Sequence, residues 1–150
     1  MDAVREETDV ILVEDNPNDA ELTMRALRKA VARERLAHVD DGVKAIDLVF
    51  GPEGLLARPK VRLPRMILLD LKLPKVDGLE VLRRLKGDER TRQIPVVVLT
   101  SSKEERDIEE SYRLGVNSYL VKPVGFAEYV NSVEAAANYW MTLNQPPVGG

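Results

Sequence analysis

The chain has 150 residues, 44% hydrophobic and 31% charged, with a formal net charge of −3, no cysteine and one histidine. That length and balance suit one soluble domain around a single core. The missing cysteines exclude a disulfide framework and a thiolate metal site, the lone His38 excludes a multi-histidine site, and the acidic balance offers nothing to a nucleic-acid backbone.

In chain order, the polar, acidic stretch Met1 to Asp9 is no signal peptide, and residues 1–8 are expected to be flexible. Val10-Ile11-Leu12-Val13 is a strand ending in Glu14-Asp15. Asn16 then suits an N-cap and Pro17 a first helical turn, and Leu22, Ala26, Leu27 and Ala30 mark a helix face. Arg35 to Val39 reads as a short strand, Asp40-Asp41-Gly42 as a turn and Val43 to Phe50 as a helix. Gly51 to Pro64, with three prolines and two glycines, reads as a loop long enough to be functional or mobile. Its basic residues Arg58, Lys60 and Arg62, with Arg65 beyond, are expected simply to be solvated. Met66-Ile67-Leu68-Leu69 is a strand ending in Asp70, followed by a loop over Lys72 to Asp77 and a helix over Gly78 to Lys86. Pro95 opens the strand Val96-Val97-Val98-Leu99, which ends in Thr100. Glu104 to Leu114 reads as a helix closed by Gly115, and the charged run Lys103 to Glu110 as its solvated face. Tyr119-Leu120-Val121 is a strand ending in Lys122. A last helix is expected over Phe126 to Leu143 and a loose tail over 144–150, so the domain proper covers 9–143. Met24 and Met66 are expected in the core and His38 in a structural role. No apolar run nears the roughly 18 residues that span a bilayer, and a cytoplasmic protein is expected.

Strand and helix alternate throughout, which implies an α/β fold: a parallel sheet covered by helices on both faces. The four apolar strands are short enough and β-branched enough to be buried on both faces. In such sheets ligands bind beyond the carboxyl ends of the strands. Glu14, Asp15, Asp70, Thr100 and Lys122 therefore converge on one edge. Three carboxylates against one ammonium call for a cation, and Mg²⁺ suits a few carboxylates combined with phosphate oxygens and water. Asp15 and Asp70 are the better ligands, with Glu14 able to act through a coordinated water.

The Glu14-Asp15 pair, Asp70 in Leu69-Asp70-Leu71, Pro74, Asp77-Gly78, Thr100-Ser101-Ser102 and Lys122-Pro123 together resemble the receiver domain of two-component response regulators. The spacing agrees: Thr100 lies 30 residues after Asp70, and Lys122 a further 22 after Thr100. The resemblance implies a five-stranded, doubly wound sheet in order 2-1-3-4-5, the flavodoxin-like or CheY-like arrangement. It implies a phosphoacceptor switch rather than an enzyme. Asp70 would take a phosphoryl group from a phosphohistidine of a sensor histidine kinase, with Mg²⁺ held by Asp15, Asp70 and the backbone carbonyl of Lys72. Lys122 and Thr100 would contact phosphoryl oxygens, and Tyr119 would swing inward as Thr100 moves, changing the surface of the fourth helix, fifth strand and fifth helix. Lys72 and Ser102 would tune hydrolysis. A cis Lys122–Pro123 bond is expected. Glu14, where many receivers have Asp, and the long Gly51–Pro64 loop depart from the pattern.

No output domain follows Leu143, so a single-domain regulator is expected. It would signal by binding a protein, or act as a phosphorelay intermediate or phosphate sink. The Glu14-Asp15-Asn16 start, the long loop and the ending Tyr139-Trp140 to Pro146-Pro147 resemble the small regulators paired with phytochrome-type kinases. In the last helix Tyr129, Val133, Ala136, Trp140 and Leu143 form a coiled-coil-like seam beside Phe126, Val130 and Ala137, and the Tyr129–Trp140 side is expected to be a homodimer or partner face. Two rival classes fare worse. An aspartyl-phosphate phosphohydrolase carries its nucleophile after the first strand, and a flavin or nucleotide module needs a phosphate loop where this chain has the acidic Asp15 to Asp19.

Overall fold

The computed structural model describes residues 8–59 and 62–148. Of the segment 1–8 expected to be flexible, all but Thr8 lies outside the described residues, as do Lys60 and the last two tail residues. Strands β1 (Val10–Val13), β2 (Leu36–Val39), β3 (Met66–Leu69), β4 (Val96–Thr100) and β5 (Ser118–Val121) alternate with helices α1 (Pro17–Leu27), α2 (Gly42–Phe50), α3 (Gly78–Gly87), α4 (Glu105–Leu114) and α5 (Phe126–Asn138). The sheet order is β2-β1-β3-β4-β5 and every pairing is parallel, as expected.

The period-2 alternation of strand side chains divides the core in two. Ile11, Val13, Ile67, Leu69, Val96 and Val98 face α2 and α3. Val10, Leu12, Met66, Leu68, Val97 and Leu99 face α1 and α5. Strands β1, β3 and β4 are buried on both faces, but every residue of β5 is only half-buried. The expectation of a fully buried fifth strand fails; β5 is an edge strand that stays half-buried along its length, whereas β2 at the other edge is largely buried.

Two corrections fall on the last helix and the bond before it. Tyr129, Val133, Ala136 and Ala137 are buried against α1 and the sheet, so the seam read as a dimer face is the helix's core side. The Tyr129 hydroxyl meets the Thr23 hydroxyl at 2.9 Å inside that packing. The regular helix stops at Asn138 and continues through Tyr139–Leu143 as a π-helical turn, where Trp140 packs partly against the same core and Tyr139 and Leu143 are exposed. Among the described residues every peptide bond is trans, including Lys122–Pro123. Trans is the ground state even before proline, favoured by about 0.5–1 kcal/mol.

The long loop is anchored at several points. A short 3₁₀ turn, Leu55–Ala57, buries Leu55. Arg62 bonds Asp9 at 2.6 Å, and Asp9 also receives Arg35 at 3.1 Å, so Arg62 is an ion-pair partner as well as a solvated cation. Met66 lies in the core and Met24 packs partly against it, as expected. Two glycines serve geometry. Gly115 closes α4 at φ 103°, a left-handed conformation that suits glycine. Gly78 lets the start of α3 approach β3 so closely that a Cβ would lie 2.2 Å from the Asp70 carbonyl oxygen.

Candidate functional site

The carboxyl ends of β1, β3, β4 and β5 bring together every residue that the chain order pointed to. Glu14 and Thr100 are shut from solvent and Asp70 nearly so, whereas Asp15 is exposed. Carboxylate oxygens of Glu14, Asp15 and Asp70 lie within 4.8 Å of one another, a spacing that one small divalent cation bridges. This donor set, all oxygen and rich in negative charge, fits Mg²⁺ or Mn²⁺.

The Lys122 ammonium is the hub. It donates to Glu14 Oε1 at 2.7 Å, Asp19 Oδ2 at 2.8 Å and Asp70 Oδ2 at 3.1 Å. Burial works against this ammonium, but hydrogen bonds to Asp19 and Glu14 and the charge of Asp70 outweigh it and hold its pKa above the ordinary lysine value. Glu14 shows the opposite balance. Burial, with Asp70 adding repulsion, pushes its carboxyl up to about 7 against the pull of Lys122. Its Oε2 also accepts the backbone N–H of Asn16 at 3.1 Å. Lys72 donates its backbone N–H to Asp70 Oδ1 at 3.3 Å, so the turn after β3 closes on the central carboxylate.

A second polar cluster adjoins the first. The backbone N–H of Ser102 points at Thr100 Oγ1 at 3.4 Å, and Ser102 Oγ donates to Asp107 Oδ2 at 2.6 Å. The same Asp107 oxygen lies 3.4 Å from Lys72 Nζ. The Tyr119 hydroxyl donates to the Ser102 carbonyl at 3.0 Å. The Ser102 hydrogen bond, then Lys72, keep the Asp107 carboxyl below its ordinary pKa, whereas burial raises the Tyr119 phenol.

Two acids in these clusters escaped the sequence reading. Asp107 sits in the run taken for a solvated helix face, yet it is 5% exposed and points inward. Asp19 was seen only as part of an acidic segment. Its place in the first turn of α1, which starts at the same sheet edge as Asp15, was the available signal. His38 takes the structural role expected, its Nε2–H donating to the Glu14 carbonyl at 2.9 Å. Tyr119 is near the Thr100 end of the site, bound to Ser102 rather than to Thr100 itself.

A five-stranded sheet in this order, with three carboxylates, a buried threonine and a lysine gathered at its carboxyl edge, defines a receiver domain. The chain belongs to the response regulator receiver domain family, which it matches over residues 10–134. It is 45% identical over 138 residues to the probable methanogenesis regulatory protein FilR2 of Methanothrix harundinacea, covering 92% of this chain and 86% of that protein. It is 36% identical over 132 residues to the response regulator Rcp1 of Synechocystis, covering 88% of each. The Mn²⁺-bound structure of Rcp1 matches with a TM-score of 0.82 at 34% identity, over 94% of this chain and 99% of that one. The phosphorylated cyanobacterial phytochrome response regulator RcpA matches with a TM-score of 0.84 at 37% identity, over the same shares. No described helix is long and apolar enough to cross a membrane.

Proposed function

We propose that this chain is a phosphoacceptor switch in histidine-kinase signalling. Asp70 is the acceptor: one of its carboxylate oxygens attacks phosphorus, an O–P bond forms, and the P–N bond of the donor phosphohistidine breaks with its electron pair returning to the imidazole. The observation that carries this reading is the Lys122 ammonium lying 3.1 Å from Asp70, flanked by the carboxylates of Glu14 and Asp19. Lys122 is placed to meet a phosphoryl oxygen on Asp70, and the buried Thr100 hydroxyl stands at the end of the adjacent strand to meet another. Glu14, Asp15 and Asp70, with the Lys72 carbonyl, are the residues that would hold Mg²⁺. Bound there, the cation supplies charge neutralisation between the attacking carboxylate and the phosphoryl oxygens. Positioning and electrostatics account for most catalysis of phosphoryl transfer, so this short set suffices. The chain assists its own phosphorylation and dephosphorylation and turns over no separate substrate.

The phosphoryl group adds about −1.5 to −2 charge and three acceptor oxygens. Thr100 is the residue drawn toward it, and Tyr119 the ring that answers, carrying the change to the surface formed by α4, β5 and α5. A phytochrome-type kinase is the donor that the likeness to the phytochrome response regulator RcpA supports; the names Rcp1 and FilR2 give no such partner. Mg²⁺-dependent labelling with acetyl phosphate, followed by intact mass, tests the core of the reading. Wild type should gain one phosphoryl group and Asp70→Asn none. Folded wild type that takes no label from acetyl phosphate or from a phosphorylated kinase sinks it.

A further inference from the structure

An ammonium has three N–H bonds, and Lys122 spends all three on carboxylates: Glu14, Asp19 and Asp70. A phosphoryl oxygen arriving on Asp70 therefore finds no free donor on Lys122, and one carboxylate must let go. Asp70 carries the incoming group on one oxygen, and its other oxygen, the acyl carbonyl, keeps accepting from Lys122. Glu14 is 2% exposed, stands at the end of β1 and is further pinned by the Asn16 N–H. Its pocket admits no water to replace the ammonium, so releasing it costs more than releasing an exposed acid. Asp19 is different. It rides on the first turn of α1, its side chain is 31% exposed, and water can take over its hydrogen bonds.

Resting on the phosphoacceptor reading above, we propose that Asp19 is a positioning residue that holds Lys122 in the unphosphorylated protein and is the partner exchanged when the phosphoryl group arrives. In the transfer from acetyl phosphate, the Asp70 oxygen forms the O–P bond while the P–O bond to acetate breaks and acetate leaves with the electron pair. Over the same step one Lys122 N–H turns from Asp19 to a phosphoryl oxygen. Asp19 thus competes with the phosphoryl group for a single donor, and slows acceptance while keeping the empty site tied together.

The test is the initial rate of Mg²⁺-dependent labelling by acetyl phosphate, per folded molecule, in wild type and in Asp19→Ala, Asp19→Asn, Asp19→Glu and Glu21→Gln. Glu21 is an exposed acid on the same helix that pairs with Arg25, not Lys122. Losing the half-exposed partner should raise the rate about threefold in Asp19→Ala, the size of a partly solvated ion pair, with Asp19→Asn between it and wild type. Asp19→Glu, which keeps the charge and can regain the contact, should return toward the wild-type rate. A rate in Asp19→Ala equal to or below wild type overturns the proposal. So does an equal rise in Glu21→Gln, which would show only that the donor anion is less repelled. Wild type that takes no label overturns the phosphoacceptor reading and this proposal with it, whereas wild type that labels while Asp19→Ala matches it overturns the proposal alone.

Discussion

The Tyr119 hydroxyl donates to the backbone carbonyl of Ser102 across 3.0 Å, tying the edge strand β5 to the loop that leaves Thr100. The ring is thereby held to the same dipeptide step that a moving Thr100 would pull, since the Ser102 N–H faces Thr100 Oγ1. Removing the hydroxyl in Tyr119→Phe should cost the unphosphorylated protein about 1 kcal/mol. If the ring leaves this partner on phosphorylation, the phosphorylated form should lose less. Urea denaturation with and without beryllofluoride, a phosphoryl mimic, compares the two, and equal losses would exclude a change of partner.

Among the described residues, Lys122 is the lone cation against Glu14 and Asp70 in the buried part of the site. Lys122→Met should destabilise the metal-free protein by roughly 3–5 kcal/mol at pH 8, because Glu14 loses its cation and must either stay charged beside Asp70 or take up a proton. The loss should shrink at pH 5.5, where Glu14 takes up a proton, and Mg²⁺ should restore part of it at pH 8. Denaturation at the two pH values, each with and without Mg²⁺, gives the answer. A loss independent of both would mean that the lysine acts through packing alone.

Glu14 gives the metal-free protein a pH dependence of its own. Its folded pKa, about 7, lies above the ordinary 4.5, so the folded state holds a proton that the unfolded state has shed. The sign follows from linkage: this contribution is fully present below about 4.5, is lost as pH rises to about 7, and is flat above. A shift of this size corresponds to a difference on the order of 3 kcal/mol. Glu14→Gln should remove that slope, which subtraction of the two stability–pH curves isolates. Mg²⁺ held by an ionised Glu14 would displace the same proton, so its affinity should fall up to about tenfold per pH unit below 7 in wild type and much less in the variant.

Away from the site, Lys86 at the end of α3 donates to the Arg92 carbonyl at 2.9 Å, the Ile94 carbonyl at 2.8 Å and Asn117 Oδ1 at 2.9 Å. Asn117 Oδ1 in turn accepts the Val96 N–H at 2.8 Å, so one lysine pins α3 to the starts of β4 and β5. Lys86→Met should cost about 1–2 kcal/mol, chiefly by taking the donor from the part-buried Ile94 carbonyl, since Asn117 Oδ1 keeps the Val96 N–H. It should also speed hydrogen exchange at the Val96 amide, while acetyl phosphate labelling of the folded protein stays unchanged. Unaltered exchange at Val96 would show that Lys86 does not hold the start of β4.

What the chain declares on its own is whatever depends on local pattern. Four apolar runs each ending in a reactive residue, a helix capped by Asn16, and Gly115 at a helix end are written in short stretches. Strand alternation with helices then leaves a parallel sheet as the consistent fold, and its carboxyl edge must collect Glu14, Asp15, Asp70, Thr100 and Lys122. What tertiary structure decided is which side chains face one another. The stripe from Tyr129 to Ala136 looked wide enough for a partner, but α1 and α5 share one sheet face and bury it between them. Asp107 lay hidden among charged neighbours because helix phase alone does not say which side meets Ser102 and Lys72. Asp19 became a partner of Lys122 only when α1 was laid across the end of β5, joining residues 103 positions apart. Periodicity assigns a residue to a face; only the packing of elements against one another fixes the angstroms that make a carboxylate a ligand, a latch or a solvated charge.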